Sequence, residues 1–278
     1  MKTFIENLIK KTCHAELDSA SQVAPSSDTS CHLLPPMGRR QFSFAFTLAE
    51  VLITLGIIGV VAALTIPSLV ANYQKKRVAI TLKKSYAELN QALQMGVAEN
   101  GPNWNYTRAD NISLWVQDYI EPYIKFNKAV NCPSNNTSPC SGIQRVRLLG
   151  NPKSEPAKTG GYVLQNPGSA TAWWFYWYQG GEYVNVKVYV NNPNIPILGK
   201  DVFTFTLMDK NKPRFLPFGA DGTIPYSGKV TRNNLLKGPI RTGGCYKESG
   251  GPDYYGPGDS CAAVIMMDGW EIKDDYPW

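Results

Sequence analysis

Histidine is nearly absent from this chain of 278 residues, which carries only His14 and His32. From residue 46 to the end there is none, and that stretch is thereby closed to a Ser-His-Asp triad, a Cys-His pair or a histidine-ligated zinc. The six cysteines form no C-x-x-C knuckle, and no alternating D-x-D-x-D run supplies a compact calcium loop. Charged residues are sparse at 18%, with a net charge of +6 and no concentrated basic patch, so nucleic-acid binding is not expected. Nothing locates a catalytic carboxylate dyad, and the chain reads as a non-enzyme.

What is present is a long apolar run, Phe46 to Ala71, whose single charge is Glu50. The uncharged residues Val51 to Ala71 would span about 30 Å as a helix, the hydrocarbon thickness of a bilayer. A carboxylate at the mouth of such a span calls for a cation, and none lies within the run. A cut between Ala45 and Phe46 would create one, because the new α-amine of Phe46 would lie about one helical turn from Glu50. Staggered copies could bring that amine to a neighbour's Glu50.

The residues FTLAEVLITLGIIGVVAALTIPSL resemble the N-terminal segment of type IV pilins and type II secretion pseudopilins. The likeness rests on Phe46, Thr47, Leu48 and Glu50, with Pro67 where that family often has a helix-kinking proline. It covers about 30 residues and places Ala45 where the family usually has Gly. The resemblance implies cleavage by a prepilin peptidase between Ala45 and Phe46, methylation of the Phe46 amine, and assembly through Glu50. It further implies other pilin or pseudopilin subunits, inner-membrane assembly machinery and the lipid bilayer as partners, in a pilus or a secretion pseudopilus. Gly56, Gly59, Ala62 and Ala63 would permit close helix approach. Two other readings of the run are an uncleaved signal anchor and, from Arg39-Arg40-Gln41-Phe42, a twin-arginine signal, which lacks a cleavage site after the run.

Residues 1–45, rich in Ser, Asp and Pro, read as a leader, with Met37 as another possible start. Residues 46–71 read as the transmembrane and filament-core helix, 72–100 as its amphipathic continuation, and 101–278 as an extracytoplasmic globular domain. Arg39 and Arg40 place the N-terminus in the cytoplasm, against which Lys75, Lys76 and Arg77 argue. The processing motif favours the cytoplasmic N-terminus. Val78, Leu82, Tyr86, Leu89, Leu93 and Val97 recur at helical spacing, and Asn100-Gly101-Pro102 ends the pattern. Pro67 should bend the rod.

Beyond it, Asp110 could cap a helix with Ile112, Trp115, Val116, Tyr119, Ile120 and Ile124 on its apolar side, interrupted at Pro122. Cys132 and Cys140 fall in a Pro/Ser/Asn-rich loop. Strands are expected at 161–166, 171–179, 183–190 and 202–208, each with one buried face, the middle two joined as a hairpin through Gln179-Gly180-Gly181-Glu182. A short helix is expected from Asp259 or Ser260 to Met267, then an extended tail from Trp270. The fold class is α+β, a long N-terminal helix packed on a small antiparallel sheet; the resemblance makes it pilin-like.

In an oxidising compartment Cys132 would pair with Cys140 and Cys245 with Cys261, while crossed pairing and free thiols stay open. The stretch Val184 to Phe205 also resembles a strand, Asn/Pro loop and Gly-x-Asp-x-Phe element of pseudopilin domains, carried by Asn191, Asn192, Pro193, Gly199, Asp201 and Phe203. Asp201 is expected to accept loop donors rather than hold a ligand. No cofactor is required, although Asp253, Asp259 and Asp268 are calcium candidates, an ion the resemblance allows. In the aromatic run Trp173 to Tyr178, alternate rings should fill the core while the others stay partly exposed. An exposed set would suit subunit contact or, if the chain is instead a membrane-tethered binding domain, a carbohydrate or surface ligand.

Overall fold

A computed structural model describes residues 47–102, 112–132, 140, 145–147, 149, 154–156, 160–166, 171–177, 183–191, 196–208, 213–220, 230–237, 244–247 and 257–278. By its contacts the chain divides into a small unit ending at Thr54 and a large one, Leu55 to Trp278. Helix α1, Leu48–Asn100, belongs in part to each.

Within the large unit, α1 changes surroundings along its length. From residue 55 to 70 every position is exposed except the half-buried Ala62. The helix continues through Pro67, although a proline leaves the carbonyl four residues back, that of Ala63, without its usual donor. The hydroxyls of Thr65 and Ser68 fold back onto the carbonyls of Val61 and Thr65, both at 2.9 Å.

From Val78 onward α1 buries a stripe of Val78, Ala79, Leu82, Ser85, Leu89, Ala92, Leu93 and Gly96. Tyr86 and Val97 pack at its margin. The small residues let a neighbour approach closely: a Cβ on Gly96 would lie 2.3 Å from the Tyr119 carbonyl oxygen. Gly101, at φ +78°, closes the helix by donating to the Val97 carbonyl.

Helix α2, Ile112–Tyr119, buries Ile112, Trp115, Val116 and Tyr119, and a 3-10 turn at Glu121–Tyr123 follows, with Pro122 inside it. The strands are β1 Lys128–Cys132, β2 Arg145–Arg147, β3 Ser154–Pro156, β4 Gly161–Asn166, β5 Thr171–Trp177, β6 Val184–Tyr189, β7 Val202–Met208 and β8 Arg214–Pro217. Six form one sheet in the order β1-β4-β5-β6-β7-β8, antiparallel throughout, while β2 and β3 form a small ribbon. Trp177 opposite Val184 fixes the β5–β6 hairpin register. Helices α3, Arg232–Lys237, and α4, Cys261–Met267, complete the described elements.

One face of the sheet meets the helices. Tyr162, Leu164, Trp173, Phe175, Val186, Val188, Phe203 and Phe205 form a contiguous cluster with Leu82, Leu89, Leu93, Trp115 and Tyr119. Each fully buried large side chain there contributes about 1.5–3 kcal/mol relative to exposure. The opposite face is covered as well: Val163, Trp174, Tyr189 and Val202 pack with Cys132, Cys140, Val146 and Leu198. This corrects the expectation of one buried face per strand, since every residue from Val202 to Leu207 is buried. Alternation in β6 and β7 marks two different partners, rather than protein on one side and water on the other.

Two further corrections concern chain paths. Cys132 ends β1 rather than lying in a loop. The tail after α4 is folded back: the Trp270 ring lies 5.0 Å from that of Tyr86, and buried Tyr276 donates its hydroxyl to the Gly199 carbonyl. At the opposite rim from β1, Asn90 of α1 accepts the Phe215 amide at 2.9 Å and donates to the Phe215 carbonyl at 3.3 Å. Gln94 donates to the Pro213 carbonyl at 2.6 Å.

Candidate functional site

In the small unit the head of α1 is built by two side chains. The Thr47 amide and hydroxyl donate to Oε2 of Glu50 at 2.8 and 2.9 Å, and the Glu50 amide donates to Thr47 Oγ1 at 3.2 Å. This is a capping box, in which a threonine at the N-cap and a glutamate three residues later satisfy each other's free backbone donors. The carboxylate therefore has a local role within the single chain. Ala45 and Phe46 lie outside the described residues.

The large unit continues the same helix as bare apolar surface. Its side chains include Ile57 and Ile58 at 60% and 63% exposure, Leu64 at 75% and Leu69 at 70%. An 18-residue window of α1 has a mean hydropathy of 2.3 and is entirely unburied. Gly56 and Gly59 have nothing within 4 Å of where a side chain would start. By length and composition this helix is long and apolar enough to cross a membrane.

Both local disulfides are present, Cys132–Cys140 and Cys245–Cys261, with Cα separations of 5.7 and 4.6 Å. The Asp201 carboxylate accepts Asn191 Nδ2 at 3.1 Å and the Ile197 amide at 3.0 Å, so it is engaged within its own loop. Gly199, at φ +80°, turns that loop with its amide bonded to the Val202 carbonyl. Asn192 and Pro193 lie outside the described residues.

The calcium candidates lie only partly among the described residues. Asp253 lies outside the described residues, Asp259 accepts the Thr204 hydroxyl at 2.7 Å, and Asp268 is bound at 2.7 Å by both Arg232 and Lys273. Among the described residues no cluster of three metal-ligating side chains occurs. The aromatic strand also departs from expectation. Trp173, Trp174 and Phe175 are all buried, because the second sheet face is covered, and the Lys187 ammonium lies 5.7 Å from the Trp174 ring centre. Tyr176 and Trp177 stay half-buried, and Tyr178 lies outside the described residues.

Arg232 was not singled out by the sequence, yet it clasps the C-terminal segment. Its Nε reaches both oxygens of Asp268, and its terminal nitrogens reach both oxygens of Asp275 at 2.6 and 2.7 Å. The guanidinium holds the Asp275 carboxyl below its ordinary value, and hydrogen bonding to Asp275 raises Arg232 in turn. Burial pushes the Tyr276 hydroxyl well up. A signal for this clasp existed only in the acid-rich spacing of Asp268, Asp274 and Asp275, which names no partner.

No curated protein and no solved structure matches the chain. Residues 68–278, beginning just after Pro67, match the model of a family described as a family of unknown function (DUF6613). With well over half of its length matched, the chain belongs to that family of unknown function (DUF6613).

Proposed function

We propose that this chain is a filament subunit of the type IV pilin or type II secretion pseudopilin kind, made as a membrane-anchored precursor. The single observation that carries this reading is the unburied apolar run of α1, headed by Glu50. A helix hydrophobic all round has two stable settings, a bilayer and a bundle of its own kind. A filament subunit uses them in succession.

On this reading prepilin peptidase cuts before Phe46 on the cytoplasmic side, and residues 101–278 stand outside the membrane. Assembly then draws the helix out of lipid into a filament core. There the new amine of one copy pairs with Glu50 of another. Among the described residues both Thr47 bonds fall on Oε2, so Oε1 is the oxygen offered to that second donor. The disulfides suit an oxidising exterior. The rival reading, a tethered domain that binds sugars or a surface ligand through its aromatic strand, is less favoured because Trp173, Trp174 and Phe175 are buried, leaving Tyr176 and Trp177 half-buried among the described rings.

The deciding measurement is the N-terminal sequence and mass of the membrane-extracted protein. A start at methylated Phe46 supports the proposal. Recovery of only the uncut precursor from cells that contain the peptidase defeats it.

A further inference from the structure

The apolar run ends at Ala71, and the next turns of α1 form one wall of an open groove of about 490 Å³. Lys75, Lys76, Ile80 and Lys83 line that wall; the facing wall is the segment Gly269–Asp274, including Trp270. Trp270 holds a left-handed backbone, φ +67°, that non-glycine residues seldom adopt. Its ring packs at a tilt against that of Tyr86, 5.0 Å between centres. The facing wall is therefore a built feature.

The groove's chemistry is mixed. Lys75 meets Asp274 at 3.6 Å, and Glu271 also lines the wall. Lys76 and Lys83 are exposed and pair with no carboxylate among the described residues. Three lysines against two carboxylates leave the lining with an excess of one positive charge. Ile80, 59% exposed, and half-buried Trp270 add apolar surface beside it.

Depth selects the ligand. If Val51 to Ala71 spans the hydrocarbon, Lys75 and Lys76 lie about 6–7.5 Å beyond its edge along the helix, within the polar headgroup layer, whereas Lys83 lies about 18 Å beyond, clear of it. A lysine pair at that level matches an anionic headgroup, while Ile80, about 13.5 Å beyond the edge, and Trp270, whose ring meets that of Tyr86 about 22 Å beyond it, line the outer part of the groove. We propose that the membrane-proximal end of this groove, Lys75 and Lys76 beside Asp274, binds the phosphate headgroup of an anionic phospholipid. The domain is thereby seated on the bilayer surface while the chain is anchored. This rests on the reading of 46–71 as a membrane span, not on filament assembly.

The test uses the full chain in detergent micelles, offered phosphatidylglycerol and phosphatidylcholine in equal amounts, with retained lipid counted by native mass spectrometry. Phosphatidylglycerol should be retained preferentially. Lys76→Gln should cut that preference about five-fold, and Asp274→Asn, which releases Lys75, should raise it by a similar factor. Lys83→Gln should leave it within about two-fold, being remote from the headgroup layer. Because Asp274 is fully exposed, a gain in its variant cannot come from misfolding. Equal retention of the two lipids, a loss of preference in Asp274→Asn, or displacement of lipid by millimolar inorganic phosphate overturns the proposal. Alkaline carbonate extraction separates the two failures. A chain released from membranes overturns the span and this inference together, and a retained chain without lipid preference overturns this inference alone.

Discussion

Thr47 and Glu50 cap α1 reciprocally: the Thr47 amide donates to the Glu50 carboxylate at 2.8 Å, and the Glu50 amide donates to the Thr47 hydroxyl at 3.2 Å. Glutamine serves such a box as well as glutamate does, but it cannot neutralise an amine. Glu50→Gln therefore separates helix capping from charge pairing. We expect it to insert and be cut normally yet yield no filaments in sheared fractions, the same outcome as Glu50→Ala. Filaments at the wild-type level in Glu50→Gln would mean that the carboxylate only caps the helix.

A second prediction concerns Gly96, where α1 passes the backbone of α2. An added methyl would meet the Tyr119 carbonyl oxygen at 2.3 Å and its Cα at 2.7 Å, both main-chain atoms that cannot swing away. Gly96→Ala should lower stability by about 1–3 kcal/mol, read from denaturant unfolding. Gly56→Ala, with open space around it, should leave the same curve unmoved.

The disulfides close loops with sequence separations of 8 and 16 residues. Replacing both cysteines of one pair by serine should cost about 2.5 kcal/mol for Cys132–Cys140 and about 3 kcal/mol for Cys245–Cys261 by the loop-entropy model. Urea midpoints under oxidising conditions measure both. Adding reductant, which opens both pairs, should take the wild-type chain below either variant, to the level of a chain lacking all four of these cysteines.

The Asp275–Arg232 pair makes stability depend on pH. The carboxyl titrates lower in the folded chain than its ordinary 3.8, so folding favours the deprotonated form. Its contribution is fully present above the unfolded value and disappears as pH falls through the lowered folded value. Wild type and Asp275→Asn should differ by a constant amount from pH 7 to near pH 5. The gap should then narrow as acid protonates Asp275, with melting temperature as the readout.

Much of the architecture was legible because certain stretches obey a single rule. Gly161–Asn166 and Val202–Met208 match their strands residue for residue; in the second, β-branched and aromatic residues alternate from Val202 to Thr206. The apolar positions expected for the second helix, from Ile112 to Ile124, are all buried. By contrast, β1 and β8 escaped notice: both are short rim strands, and β8, Arg-Phe-Leu-Pro, has no alternation and ends in proline. Their pairing is set by the neighbouring strand, not by local pattern. The covering of the second sheet face could not be foreseen from periodicity either, because the disulfide-bonded segment and Leu198 arrive there from elsewhere in the chain. The Thr-x-x-Glu signature at residues 47–50 is by itself a capping-box pattern, which an acid at the mouth of a lipid-length run overlays with a second, electrostatic reading.

Asn90 offers Phe215 the same donor and acceptor that an adjoining strand would offer. With Gln94 bonded to Pro213 alongside, that rim of the sheet is plugged by amides from its own shaft. A second copy cannot zip on there by main-chain pairing. If copies of this chain assemble as proposed, growth by strand addition is closed at that border, and the proposed helix core has to supply the cohesion there.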